Sequence, residues 1–121
     1  MISPWLPDEP TRADVDSRRG PVLLEFGSPG CGHCRAAQPL VEQALREPAA
    51  GALAAMPHLR VIDGPGQPLG RSFGVKLWPT LVFLRDGREV TRLVRPRDVV
   101  LLRDALAALA AAGGAAAARL G

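Results

Sequence analysis

The stretch that most restricts the fold of this chain is "VLLEF", residues 22–26, together with the way it hands over to "GSPGCGHC". An apolar run of this length, bounded by Pro21 and Gly27, is too short for a helix and reads as a strand buried at the centre of a sheet. From Cys31 onward the pattern changes, with Ala36, Ala37, Leu40, Val41, Ala44 and Leu45 recurring at three and four residues. That is helical spacing, and Pro39 within it predicts a kink. The only two cysteines, Cys31 and Cys34, therefore fall where a central strand delivers the chain to a helix start.

The flanking segments fit an alternating chain. Prolines at 4, 7 and 10 make the beginning extended, with an edge strand expected around residues 2–6. Thr11 and Asp14 have capping-box spacing for a short helix that Gly20 and Pro21 end. "REPAAGALAAMPH" carries breakers at Pro48, Gly51 and Pro57 and reads as a broken helix plus a loop, with His58 a loop residue. "LRVID" is the next strand, closed by the turn-rich "GPGQPLG"; "TLVFL", "RDG" and "REVTRLV" form a hairpin. Asp98 can cap a last helix with Val99, Leu102, Leu106 and Leu109 on one face, and Gly113 with Gly114 are expected to end it. The expectation is an α/β fold with a mixed sheet and helices on both faces. It comprises an N-terminal extension over residues 1–20, a domain over 21–112 and a tail over 113–121.

Length and charge narrow the function. A chain of 121 residues supports one core without staples. No apolar run suits a membrane span, and the N-terminus lacks a signal-peptide core, so the cytoplasm is expected unless such a signal is missing from the sequence. The net charge of +3 comes with arginines scattered along the chain, and there is no tyrosine. Neither a basic stripe nor a set of stacking aromatics for nucleic acid is present. A monomer is the expected state.

Two thiols two residues apart admit three readings: a redox pair, half of a metal site, or two buried small residues. A zinc or iron–sulfur site needs about four ligands, and beyond the pair there are two histidines and scattered acids. A haem attachment needs histidine after the second cysteine, where Arg35 stands. No metal and no cofactor are expected. For the redox reading, a helix N-terminus favours an anionic sulfur at Cys31 through unpaired N–H groups and the helix dipole. Cys34, one turn in, is placed to attack a mixed disulfide formed on Cys31. Glu25 sits inside the apolar run, where a carboxylate needs a partner or a task. It either points to solvent or lies beneath the pair to take the proton of Cys34, and its position favours the second reading.

With the CGHC pair, the helix proline Pro39, "LWPT" and the hairpin in this order, residues 21–112 resemble the thioredoxin superfamily. "LLEFGSPGCGHCR" looks like the active-site segment of protein disulfide isomerase domains. The resemblance implies a thiol–disulfide oxidoreductase acting on protein or peptide disulfides, re-reduced by a thioredoxin reductase-like enzyme or by glutathione. Within it Cys31 is the attacking thiol, Cys34 the resolving thiol, Glu25 the buried carboxylate and Pro79 a cis-proline facing the disulfide. The backbone of Trp78 is then free to pair with an extended peptide, and Gly30, Trp78, Thr80 and Arg95 lie on the substrate side. His33 beside Cys31 would stabilise its thiolate and set a potential between about −270 and −180 mV. Departures from the family carry expectations of their own. Gly27 and Gly30 replace aromatics, predicting a barer and more mobile rim. The usual lysine partner of the carboxylate falls near Leu59, which would leave Glu25 without a cation. Arg95 replaces a common glycine and would add charge or crowd the groove. The rival class is a non-enzymatic thioredoxin-like binding module or chaperone partner.

Overall fold

A computed structural model describes residues 2–120, with side chains up to residue 114. Local chemistry starts the first element: the Thr11 hydroxyl accepts the Asp14 N–H at 3.0 Å, and the Asp14 carboxylate accepts the Thr11 N–H at 3.2 Å. This capping box opens α1, Arg12–Asp16. Next come β1, Pro21–Gly27, and α2, Gly32–Arg46, which carries Pro39 in its interior. A 3-10 segment, Pro48–Ala55, is divided at Gly51, whose φ of 55° only glycine adopts freely. The chain continues through β2, His58–Ile62, α3, Pro68–Ser72, β3, Thr80–Arg85, β4, Arg88–Val94, and α4, Val99–Leu120.

The four strands pair in the order β2-β1-β3-β4, with β1·β2 parallel and the other two pairs antiparallel. Asp86 and Gly87 both have positive φ, as the tight β3–β4 turn requires. Because side chains alternate across a strand, β1 feeds two cores. Leu23 joins Val41, Ala44, Leu81, Phe83, Leu102 and Leu109 under α2 and α4. Val22, Leu24 and Phe26 join Val15, Leu69, Phe73 and Val82 on the opposite face, with α1 and α3. Helices therefore cover both faces of a mixed sheet, a thioredoxin-like fold. The topology brings the ends of β1, β2 and β4 and the start of β3 to one edge, marked by Gly27, Ile62, Val94 and Thr80.

Three segments differ from expectation. The first is a single bridge at Trp5 to Arg60, in place of an N-terminal edge strand. The second is α3, which begins inside the turn-rich "GPGQPLG", with Pro68 in its first turn and the Glu9 carboxylate accepting the Leu69 N–H at 2.6 Å. A cap delivered from sixty residues away leaves no local signal. The third is α4, which runs through Gly113 and Gly114 to Leu120, so the expected tail is helical; Gly121 lies outside the described residues. Arg85 donates from Nε and Nη2 to the Leu109 carbonyl at 3.3 and 3.2 Å. Its guanidinium then fills the space at Gly113, with Cζ 2.6 Å from where a Cβ would sit.

Gly114 has nothing within 4 Å of its Cβ position. Gly114→Ala should therefore stabilise the protein by up to about 1 kcal/mol, the helix propensity difference. Gly113→Ala should stabilise less or destabilise, because the new methyl displaces Arg85. Urea unfolding of both variants checks this, and equal gains would remove Arg85 from the account.

Candidate active site

Cys31 is the N-cap of α2, in extended backbone, and its sulfur accepts the Cys34 N–H at 3.2 Å. The two thiols are free and unequal: Cys31 is half-buried and Cys34 is 1% exposed. Burial first, and then the hydrogen bond to Cys31, push the Cys34 thiol up to about 12; the charge of Glu25 acts in the same direction. β1 passes so close beneath Cys34 that a Cβ on Gly27 would lie 2.5 Å from its sulfur and 3.1 Å from the Trp5 ring edge. The position after Phe26 is thus covered, not bare, which corrects the expectation of an open rim at Gly27. Gly30 and His33 are exposed.

Glu25 is 2% exposed and lies on the face of β1 that α2 covers, so it does not point to solvent. It is also not without a cation. Arg60 donates from Nε to Oε1 at 3.2 Å and from Nη2 to Oε2 at 3.5 Å, and His58 Nε2 stands 2.8 Å from Oε1. The parallel register pairs Glu25 with Arg60, one residue beyond Leu59. A one-residue offset reverses the face, so Leu59 packs into the opposite core while His58 and Arg60 both reach the carboxylate. His58 belongs to β2 and to this cluster, not to a loop. The period-two pattern His58-Leu59-Arg60-Val61 was the signal in the sequence that could have found both partners.

The Trp78–Pro79 bond is cis and Pro79 is buried. Trp78 Nε1 donates to Asp63 at 2.9 Å. Arg95, at φ 50°, donates its backbone N–H to the Pro79 carbonyl at 2.9 Å and its Nε to the Trp78 carbonyl at 2.8 Å. The Trp78 carbonyl, expected to be free for substrate, thus already accepts a hydrogen bond from Arg95, whose side chain is half-buried. Thr80, expected on the substrate side, is 1% exposed and donates its hydroxyl inward to the Leu77 carbonyl at 2.7 Å. Ile62, Leu77 and Val94 are exposed apolar side chains; Ile62 and Val94 end their strands at this edge, and Leu77 precedes Trp78 in the chain.

Residues 6–108 match the family model described as Thioredoxin, and the chain belongs to the thioredoxin family. It is similar to the structure of thioredoxin 2 from Pseudomonas aeruginosa in its reduced form. The identity is 49% and the TM-score 0.77, over 90% of this chain and 96% of that one. The thioredoxin of Mycobacterium bovis is 35% identical over 92 residues, covering 75% of this chain and 76% of the relative. The protein disulfide-isomerase A2 of Pongo abelii is 47% identical over 69 residues, which are 56% of this chain and 13% of that protein. This chain thus spans only a small part of the disulfide-isomerase relatives. Thioredoxin-family membership with both cysteines present is consistent with thiol–disulfide oxidoreductase activity.

Two outcomes follow from this geometry. Removing one member of a buried ion pair strands the other, so Arg60→Met should destabilise the protein by about 3 kcal/mol, with partial recovery in the Glu25→Gln/Arg60→Met double variant. Urea unfolding measures both, and an additive double variant would uncouple the pair. For Cys34, the folded state holds its proton more tightly than the unfolded chain. The reduced protein should therefore lose stability as pH rises from about 9 toward 12. The oxidised protein has no thiol to ionise. The melting-temperature gap between the two forms should shift against the reduced form over that interval; a gap constant with pH contradicts the buried thiol.

Proposed function

We propose that this protein is a thiol–disulfide oxidoreductase that passes two electrons from Cys31 and Cys34 to disulfides of protein or peptide substrates. The observation that carries this reading is the inequality of the two thiols: Cys31 is half-buried at a helix N-cap while Cys34 is 1% exposed near an anchored carboxylate. The Cys31 thiolate attacks one sulfur of the substrate disulfide, forming a mixed disulfide and releasing the other substrate sulfur as thiolate. Cys34 then gives its proton to Glu25 and attacks the Cys31 sulfur. The second substrate thiolate leaves, and Cys31 and Cys34 remain joined as a disulfide. The burial that holds the proton on Cys34 keeps it unreactive until an acceptor takes it, and Glu25 is the buried base on that face.

His33, exposed two residues from Cys31, supports the thiolate and through it the reduced form of the pair. The exposed Ile62, Leu77 and Val94 provide an apolar edge for an extended substrate, with Gly30 leaving room beside Cys31. Arg95 holds the cis-proline loop by its bonds to Trp78 and Pro79. A thioredoxin reductase-like enzyme or glutathione returns the electrons, and the protein works as a monomer in the cytoplasm. Among the described residues no helix is long and apolar enough to cross a membrane.

Insulin reduction driven by dithiothreitol tests the reading and separates it from a non-enzymatic binding module. Wild type should accelerate precipitation of the insulin B chain, and Cys31→Ser should abolish the acceleration. Cys34→Ser should accumulate a mixed disulfide with substrate, visible by non-reducing mass spectrometry. Equal activity of wild type and Cys31→Ser would end the proposal.

A further inference from the structure

Residues 2–6 are fastened to β2 and α2 by three hydrogen bonds. The Ile2 N–H donates to Glu42 Oε1 at 3.1 Å, Arg60 Nη1 donates to the Ser3 carbonyl at 3.1 Å, and the Leu6 N–H donates to the Arg60 carbonyl at 2.8 Å. The last of these belongs to the parallel bridge between Trp5 and Arg60. This strap puts the Trp5 ring in two places at once. Its face covers the Arg60 guanidinium, 4.1 Å from Cζ to the ring centroid, and its edge reaches the space above Gly27 where the Cys34 sulfur also lies.

A guanidinium is planar, with its donors in the plane and its faces free to stack. Arg60 uses both: its edge meets Glu25 and the Ser3 carbonyl while a face rests on the indole. An ammonium has no planar fork that could meet both acceptors in its plane and stack a face on the ring. With no side chain at Gly27, the Cys34 sulfur lies 2.5 Å from where a Cβ would sit, and the edge of an aromatic ring from twenty-two positions earlier packs beside it at 3.1 Å. We propose that Trp5 is a positioning residue of the cysteine site: it closes the space over Gly27 and holds Arg60 against Glu25, so that the N-terminal strap governs the resolving step at Cys34. This rests on Cys34 being the resolving thiol. The groups facing the cluster are Glu25 from β1, His58 and Arg60 from β2, and Cys31, Cys34, Glu42 and Arg46 from α2. Trp5 adds no charge to this set; it acts by excluding water from Cys34 and fixing the orientation of Arg60.

The test is alkylation of the reduced full chain with iodoacetamide across pH, each cysteine read separately by peptide mass spectrometry, in wild type, Trp5→Ala and Trp5→Phe. Water admitted beside Cys34 relieves the burial that keeps it protonated. In Trp5→Ala, Cys34 should label roughly tenfold faster near pH 8.5, a shift of about one unit in its profile. Cys31, half-buried at the N-cap and in contact with Cys34, should change far less, and Trp5→Phe, whose ring stops short of the far edge of the indole, should restore part of the protection. A general loosening of the fold would move both cysteines and would not be rescued by phenylalanine. A folded Trp5→Ala protein with the wild-type Cys34 profile overturns the proposal, as does equal acceleration of both cysteines. If Trp5→Ala fails to fold, Trp78→Phe decides, since it leaves Trp5 as the only indole. Its emission should change when diamide oxidises the cysteine pair, and unchanged emission overturns the proposal. None of these readouts needs turnover, so an inactive wild type in the insulin assay would refute the oxidoreductase reading and the resolving step with it, while the alkylation profiles would still report separately whether Trp5 shields Cys34.

Discussion

An ionisable side chain at the centre of a sheet under a helix must be paired, and much of this structure follows from pairing Glu25. Its carboxylate meets Arg60 and His58 only because β2 runs parallel to β1 in the register that sets Glu25 against Arg60. A slip of one residue would present Leu59 instead, leaving an unpaired carboxylate in a closed space at a cost of several kcal/mol. The ion pair therefore selects the register as much as the register creates the ion pair. Arg60 extends the constraint outward through its bond to the Ser3 carbonyl and its contact with Trp5, so residues that look peripheral in the chain are tied to the middle of the sheet.

The inequality of the cysteines comes from the same geometry. A strand leaving the sheet at Gly27 and a helix starting at Gly32 place Cys31 at the edge and Cys34 one turn inward, over the strand. The difference in exposure needs no special residue at either position. It arises from where a helix begins relative to a sheet that it covers. What the sheet adds is a short distance: without a side chain at Gly27 the sulfur of Cys34 can settle against β1, close enough for the charge of Glu25 to act on it.

The elements legible in the sequence were those whose causes are local. "VLLEF" declares a doubly buried strand by its unbroken apolar run, Thr11 and Asp14 declare a helix start by their spacing, and the Asp86-Gly87 dipeptide declares a tight turn, in which both residues adopt positive φ. α3 was not legible because its first turn is capped by Glu9 from far along the chain. The passage of α4 through Gly113 was hidden for a related reason. The glycine marks room for the Arg85 guanidinium, and that need exists only once β3 and α4 are packed together. His58 was legible in principle, since alternation around Leu59 places it beside Arg60. That alternation gains meaning only when β1 is known to be the neighbour.

From its residues alone this chain determines a pair of thiols at a strand-to-helix junction, an acid within the central strand, and the order of elements that makes a mixed sheet with helices on both faces. These are properties of periodicity and of backbone preference within a few positions, which any stretch carries with it. Tertiary structure alone decided that Glu25 is held by Arg60 and His58, that the Trp78 carbonyl is occupied by Arg95, and that Trp5 stands over the glycine beside Cys34. Each of these joins residues between 17 and 35 positions apart. Which of many possible partners such a residue meets is set by strand register and by the space that packing leaves, and neither quantity is written in local sequence.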